Sequence, residues 1–266
     1  MRDSRAGTGH RRRGVALLLA FALAGRAAGA DAPVVVRTTG QEANLLKFDP
    51  GNREAPGFSV ELMHAIESID PGLKFVGVEV MRTVRRIDAD LVSGRLDMFF
   101  GLVDDPIRRN SLIVVDAPVL YVQYGQLAVN ADDPVVIAGL GDVRALGRDG
   151  VIGVPQGSML IPELARQGGL YIDDGTPSVD ATLKKLQAHR IRFVYLGGAV
   201  LHKYLVDHGL EHEIRILPPR FERTQVCLMA SRTADPALVA RVRRALVRLQ
   251  AGGQLARLRG KYGLPE

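Results

Sequence analysis

The stretch SGRLDMFFGLVDDPIRRNSLIVVDAP, residues 93–118, decides how the rest of the chain is read. Residues 96–102 are an apolar run with almost no polar alternation, the pattern of a strand buried on both faces of a parallel sheet, and Gly101 is expected to end it. Asp104 and Asp105 then precede Pro106, so an aspartate can cap a new helix while proline takes the first helical position, where its missing N–H costs nothing. A strand that runs into a helix N-terminus puts Arg108 at the carboxyl edge of the sheet, where small ligands settle in open α/β folds. A guanidinium there is a bidentate fork for a carboxylate. The same residues also allow a plainer arrangement, with Asp105 only a helix cap and Arg108 a solvated surface charge.

Upstream, residues 34–38 suit a first strand and residues 39–56 a polar loop. In GFSVELMHAI, from Gly57, apolar residues at 58, 62, 63, 66 and 69 share one helix face. A second strand over 73–80 and a helix through Leu91 complete a strand, helix, strand, helix, strand order, which builds a parallel sheet with right-handed crossovers.

Downstream, YVQYGQLAV (121–129) and RTQVCLMA (223–230) are two extended runs with a compositionally complete α/β segment between them. They are expected to pair as hinge strands, making residues 31–129 plus 223–266 one discontinuous lobe and 130–222 the other. Within the second lobe, the buried run at 151–154 leads into Pro155-Gln156-Gly157-Ser158-Met159. A glycine in such a turn lets backbone N–H groups point outward as an anion site, though an ordinary tight turn with Ser158 as N-cap fits too. No Gly-Lys-Ser/Thr follows, which excludes a P-loop.

The first thirty residues stand outside that fold. Arg2, Arg5, Arg11, Arg12 and Arg13 form a basic segment, residues 15–24 are apolar but too short to span a bilayer, and Ala28-Gly29-Ala30 is a small-residue cleavage site. A secretory signal peptide cut after Ala30 is expected. The Arg12-Arg13 pair raises a twin-arginine route, but no Phe-Leu follows in place. The leader holds six of the 35 basic residues and one of the 29 acids, leaving 29 against 28, so the sequence pI near 9.7 belongs mostly to the leader and gives no case for nucleic acid. The single cysteine, Cys227, lies in an apolar run and reads as a buried inert thiol.

Taken together, SGRLDMFFGLVDDPIRR…VVDAPVLY resembles the segment of ABC-type periplasmic substrate-binding proteins of solute-binding family 3, the polar amino acid binders. There a Gly-x-x-Asp strand leads to a Thr-x-Thr-x-x-Arg turn and a Phe-Ser-x-Pro-Tyr-like strand. The block from Gly57 is similar to the family's Gly-Phe-Asp-Val-Asp-Leu, residues 151–158 to its Val-Gly-Val-x-x-Gly-Thr, and AGGQLARLRGKYG near the C-terminus to its closing Lys-Tyr signature. The resemblance implies a two-lobe class II periplasmic binding protein fold, an α/β architecture in which each lobe is a mostly parallel sheet flanked by helices. It also implies that Arg108 grips a ligand carboxylate while Gly157 and Ser158, with Gln156, offer amides from the other lobe.

Three departures bear on the ligand. Gly197 stands where the family's ammonium-binding Asp belongs, Val103 replaces the first Thr of the turn, and Glu42 takes the place of a stacking aromatic in the first loop. The ligand is therefore expected to carry a carboxylate but lack the usual amino group, or to have its amine held by Glu42 or Asp104. The expected protein is a periplasmic monomer that captures an anionic small molecule and delivers it to an ABC permease or reports it to a membrane receptor. No cofactor, nucleic acid or membrane anchor is expected. The rival is an exported enzyme on the same scaffold, similar to cyclohexadienyl dehydratases, with Glu42 or Asp104 as the cleft acid.

Overall fold

A computed structural model of the chain describes residues 32–42, 44–156, 158, 160–176 and 178–265. The expected signal peptide and Gly157 lie outside the described residues. The chain opens with β1 (Val34–Arg37), β2 (Gly40–Gln41), α1 (Phe58–Ile69), β3 (Leu73–Val76), β4 (Met81–Arg82), α2 (Val84–Val92), β5 (Met98–Val103), α3 (Pro106–Ser111) and β6 (Leu112–Val115). From β7 (Tyr121–Asn130) it enters a second set: α4 (Leu140–Ala145), β8 (Ile152–Pro155), α5 (Leu160–Gln167), β9 (Ile172–Thr176), α6 (Val179–Gln187), β10 (Phe193–Gly197), α7 (Gly198–His208) and β11 (Ile214–Ile216). β12 (Phe221–Ser231) returns to the first set, which α8 (Pro236–Ala251) and α9 (Gln254–Lys261) close.

β7 and β12 pair antiparallel over Tyr121↔Val226 to Gly125↔Phe221, as the two extended runs led us to expect. Beyond that ladder they part company. The far end of β12 pairs with β5 and β6, and the far end of β7 with β10 and β11. Each strand thus has one end in each lobe.

The apolar core divides accordingly. One cluster gathers Phe58, Leu62, Met63 and Ile66 of α1 with Phe99, Phe100, Leu228 and the α8 residues Leu246 and Leu249. In the other lobe, β10 alternates: Phe193 and Tyr195 enter a cluster with Leu127, Ile152 and Val154, whereas Val194 and Leu196 join Leu183, Leu201 and Ile214. A strand buried on both faces by a period of two sits between helices on either side, the layering of a doubly wound α/β lobe. Among the described residues the parallel pairs are β1–β3, β2–β4, β8–β10 and β8–β9.

Three expectations need correction. β5 is buried as predicted, yet its ladder is with antiparallel β12 rather than a parallel neighbour. Gly101 does not end it: the strand runs to Val103, and Gly101, at φ 114°, sits at the point where the register with β12 shifts between Cys227 and Leu228. The second strand stops at Val76 because Gly77, at φ 93°, turns the chain so tightly that a Cβ there would lie 2.5 Å from the Thr38 carbonyl oxygen.

Two blocks noted far apart in sequence meet in space. Tyr262 Oη donates to Glu61 Oε1 at 2.6 Å and accepts from the Gly57 N–H at 3.1 Å, and Lys261 Nζ lies 2.5 Å from the same carboxylate. Cys227 is fully buried, and burial pushes its thiol up to about 12, as an inert core residue should be. No helix among the described residues is long and apolar enough to cross a membrane.

The hinge depends on a close approach at Gly125, where an added Cβ would collide with the Tyr195 hydroxyl. That hydroxyl is bonded to the buried Glu163 carboxylate, so it cannot move without stranding an acid. Gly125→Ala is expected to cost ~1–3 kcal/mol in urea unfolding. Wild-type stability in that variant would show that the hinge strand is not tightly packed there.

Candidate functional site

The carboxyl ends of the strands collect most of the residues singled out from sequence. Val103 ends β5, Gly197 ends β10, Gln156 and Ser158 follow β8, and Glu42 follows β2. In open α/β sheets this is the edge where ligands bind.

Asp105 caps α3, its Oδ1 accepting from the Ile107 and Arg108 N–H groups at 2.8 and 3.0 Å, with Pro106 in the first position. That cap aims Arg108 inward. Its guanidinium is not a solvated surface charge: the side chain is 6% exposed. Nε and Nη2 donate to Asp88 at 2.9 and 3.0 Å, and Nη1 donates to the Val103 carbonyl at 2.9 Å. Asp105 Oδ2 lies 3.1 Å from Nη1, within ion-pair range but off the line of a hydrogen bond. The fork predicted for a ligand is thus occupied by Asp88, a carboxylate that itself keeps 34% of its side-chain surface exposed.

The other predicted residues are similarly engaged. Asp104 is bound through both oxygens by Arg109, so neither oxygen is presented to a guest. The Ser158 N–H donates to the Pro155 carbonyl at 3.1 Å, and its hydroxyl accepts from Leu160 N–H at 3.2 Å at the start of α5, the N-cap arrangement. The Gln156 N–H donates to the Thr176 carbonyl at 2.7 Å. Glu42 is exposed, with its backbone N–H on the Arg82 carbonyl at 2.9 Å. Gly197 is buried, and a Cβ added there would stand 3.5 Å from Gln123 Oε1, an ordinary contact, so its backbone does not require glycine.

Sequence reasoning missed Lys47. The turn at residues 44–47 folds over the N-terminus of α1, whose Phe58 and Ser59 N–H groups donate to the Leu46 and Lys47 carbonyls at 2.9 and 3.1 Å. No side chain caps that helix, so the loop backbone satisfies its first donors. The Lys47 side chain is thereby drawn in against Gly101, where a Cβ would sit 2.8 Å from Lys47 Cδ, and Nζ donates to the Gly101 carbonyl at 2.7 Å. Burial, and after it the nearby Arg108 charge, pushes the amine down to about 7. Its one visible signal was a lysine inside the run Leu45-Leu46-Lys47-Phe48; Asp88, twenty positions before Arg108, gave none.

One cavity of about 360 Å³ bridges the two lobes. Asn44, Leu45 and Leu46 form one wall, and Val179, Val200 and Tyr204 contribute to the other. Tyr204 is stacked on His208 at 3.9 Å between ring centroids and donates to Asp180 at 3.1 Å. None of the described residues predicted for the site lines this cavity.

Lys47 gives a test of the site's electrostatics. An unfolded lysine keeps its proton to about 10.5, whereas the folded one releases it near 7, so between those values the unfolded chain binds more protons and stability rises with pH. The burial penalty is full below about pH 7 and gone above about 10.5. Lys47→Met should therefore stabilise the protein at pH 6, by on the order of 4 kcal/mol, and by much less at high pH. Denaturant unfolding of both proteins across that range checks this; a stability difference that does not vary with pH contradicts it.

No curated protein matches this sequence. Among solved structures, a histidine kinase sensor domain with similarity to periplasmic binding proteins is 22% identical at a TM-score of 0.70, covering 88% of this chain and 97% of its own. A probable amino-acid ABC transporter extracellular-binding protein from Bacillus subtilis is 14% identical at a TM-score of 0.71, over 86% and 97%. An ancestral amino acid-binding protein, a precursor of cyclohexadienyl dehydratase, is 18% identical at a TM-score of 0.68, over 86% and 95%. These likenesses establish the two-lobe periplasmic binding protein fold. The sequence model of the bacterial extracellular solute-binding proteins, family 3, matches residues 36–265, and the chain belongs to that family.

Proposed function

We propose that the protein captures a small carboxylate-bearing solute, amino acid-like or an organic acid, between its lobes and delivers it to an ABC transporter. In this reading residues 31–129 plus 223–266 form one jaw and 130–222 the other, and the chain works as a periplasmic monomer once residues 1–30 are removed. The observation that carries it is a cavity walled by Leu45 and Leu46 from one set of elements and by Val179, Val200 and Tyr204 from the other, in a chain whose two sets are joined by the β7–β12 ladder. A guest that touches both walls binds the closed form better than the open one, so binding itself shifts the hinge toward closure. Proteins of similar fold described as amino-acid ABC transporter binding proteins support this reading.

The anionic group is expected at the β5 end, where Arg108 and Lys47 lie close enough for their charges to interact. Asp88 acts there as the resident counter-ion, and the ligand carboxylate takes its place on the Arg108 fork. Such an exchange keeps the buried guanidinium paired in both states, which avoids the cost of an uncompensated charge. The lyase alternative is not favoured, because Asp104 is held by Arg109 and Glu42 is exposed.

Calorimetry of the purified protein against amino acids, organic acids and polyamines tests the reading. A carboxylate should bind saturably, and Asp88→Ala should tighten it about tenfold by removing the internal competitor. Binding of polyamines with no carboxylate binder, or a carboxylate bound more weakly by the Asp88 variant, would oppose it. Conversion of prephenate to an aromatic product would favour the lyase instead.

A further inference from the structure

A second cavity, of about 330 Å³ and lined mostly by polar and charged residues, lies in the lobe built from β8 and β10, at the opposite edge from the ligand cleft. Val151, which immediately precedes β8, and Arg192, which precedes β10, both line it, so it sits at the amino ends of these strands. His189 forms part of its wall. Among the described residues it is the one non-glycine with a positive φ, 53°, and its N–H donates to the Leu186 carbonyl at 2.9 Å to close α6. A left-handed conformation costs a residue with a Cβ on the order of 1 kcal/mol, and the contacts around His189 hold it there.

Asn130 fixes the imidazole. Its Nδ2 donates to the Leu186 carbonyl at 2.8 Å, which identifies the amide nitrogen, and the same nitrogen lies 3.2 Å from His189 Nδ1. Nδ1 is therefore the acceptor, and Nε2 carries the proton. Arg148 is oriented by stacking on Tyr171, with its guanidinium carbon 5.5 Å from the ring centre. Both carboxylates of the lining act on Arg192: Asp133 binds it at 2.8 and 3.0 Å, and Asp149 is within electrostatic reach. That leaves Arg148 and Arg190 with no carboxylate partner among the described residues.

We propose that this cavity binds a phosphoryl-type oxyanion. The exposed guanidiniums of Arg148 and Arg190, without a carboxylate partner among the described residues, and the exposed imidazole of His189 line the same cavity. A carboxylate would be satisfied by one fork, whereas a tetrahedral dianion offers acceptors to all three. The cavity is separate from the cleft, so its occupancy does not require the cleft ligand.

The test is titration of the purified protein with inorganic phosphate at constant ionic strength, and in parallel with vesicles of phosphatidic acid against phosphatidylcholine. The phosphate arm should show saturable binding that Arg148→Ala/Arg190→Ala weakens about tenfold or more. His189→Gly, which keeps the left-handed backbone, should weaken it about threefold. Asp88→Ala should leave it unchanged. Binding confined to phosphatidic acid vesicles and weakened by the same variants supports the same site with a lipid-borne phosphoryl group. Equal responses from the wild type and the double arginine variant in both arms overturn the proposal.

Discussion

The antiparallel ladder between β7 and β12 is the constraint on which the rest of the molecule hangs. It joins strands nearly a hundred residues apart, and each then continues into a different core: β12 places Leu228 and Met229 among the α1 and α8 residues, while β7 places Leu127 and Val129 against β8 and β10. Side chains alternate across a strand, so a slip of one residue would exchange the two faces of β7, sending Leu127 and Val129 out of their cluster and into the space that Ala128 fills on the other side of the sheet. Two cores anchored on opposite ends of one ladder fix its register from both sides.

The chemistry at the strand ends is one of saturation. Arg108 holds Asp88 and the Val103 carbonyl, Arg109 holds Asp104, and Ser158 holds the start of α5. Each contact stabilises the lobe that contains it and presets the group's direction. Under the proposed function a ligand entering there exchanges partners rather than filling vacancies, and specificity follows from how well it replaces what it displaces. Lys47 is the exception, a buried amine with a single carbonyl partner among the described residues.

Much of this was legible in the chain. The Asp105-Pro106 cap, the α1 stripe and the two hinge strands follow from local chemistry and periodicity, and each appears in the structure. The strand that Gly101 was expected to end was misread because a glycine at positive φ inside a strand, marking a bulge, looks in sequence like a stop. The pairing of Arg108 with Asp88 was invisible for another reason: it joins α3 to α2, and no spacing rule links two helices across a sheet edge. The residues of the interlobe cavity were missed likewise, since α6 and α7 showed only the pattern of helices that cover a sheet.

Under the proposed function a guest closes two jaws about the β7–β12 ladder, and an interlobe distance measures this directly. Cys227 is buried, so cysteines introduced at the exposed positions Arg53 and Asp174, one on each lobe, can carry spin labels selectively. Pulsed dipolar spectroscopy without and with a saturating carboxylate ligand should show the distance distribution shorten and narrow. A distribution that stays unchanged while calorimetry shows the site full would contradict the account.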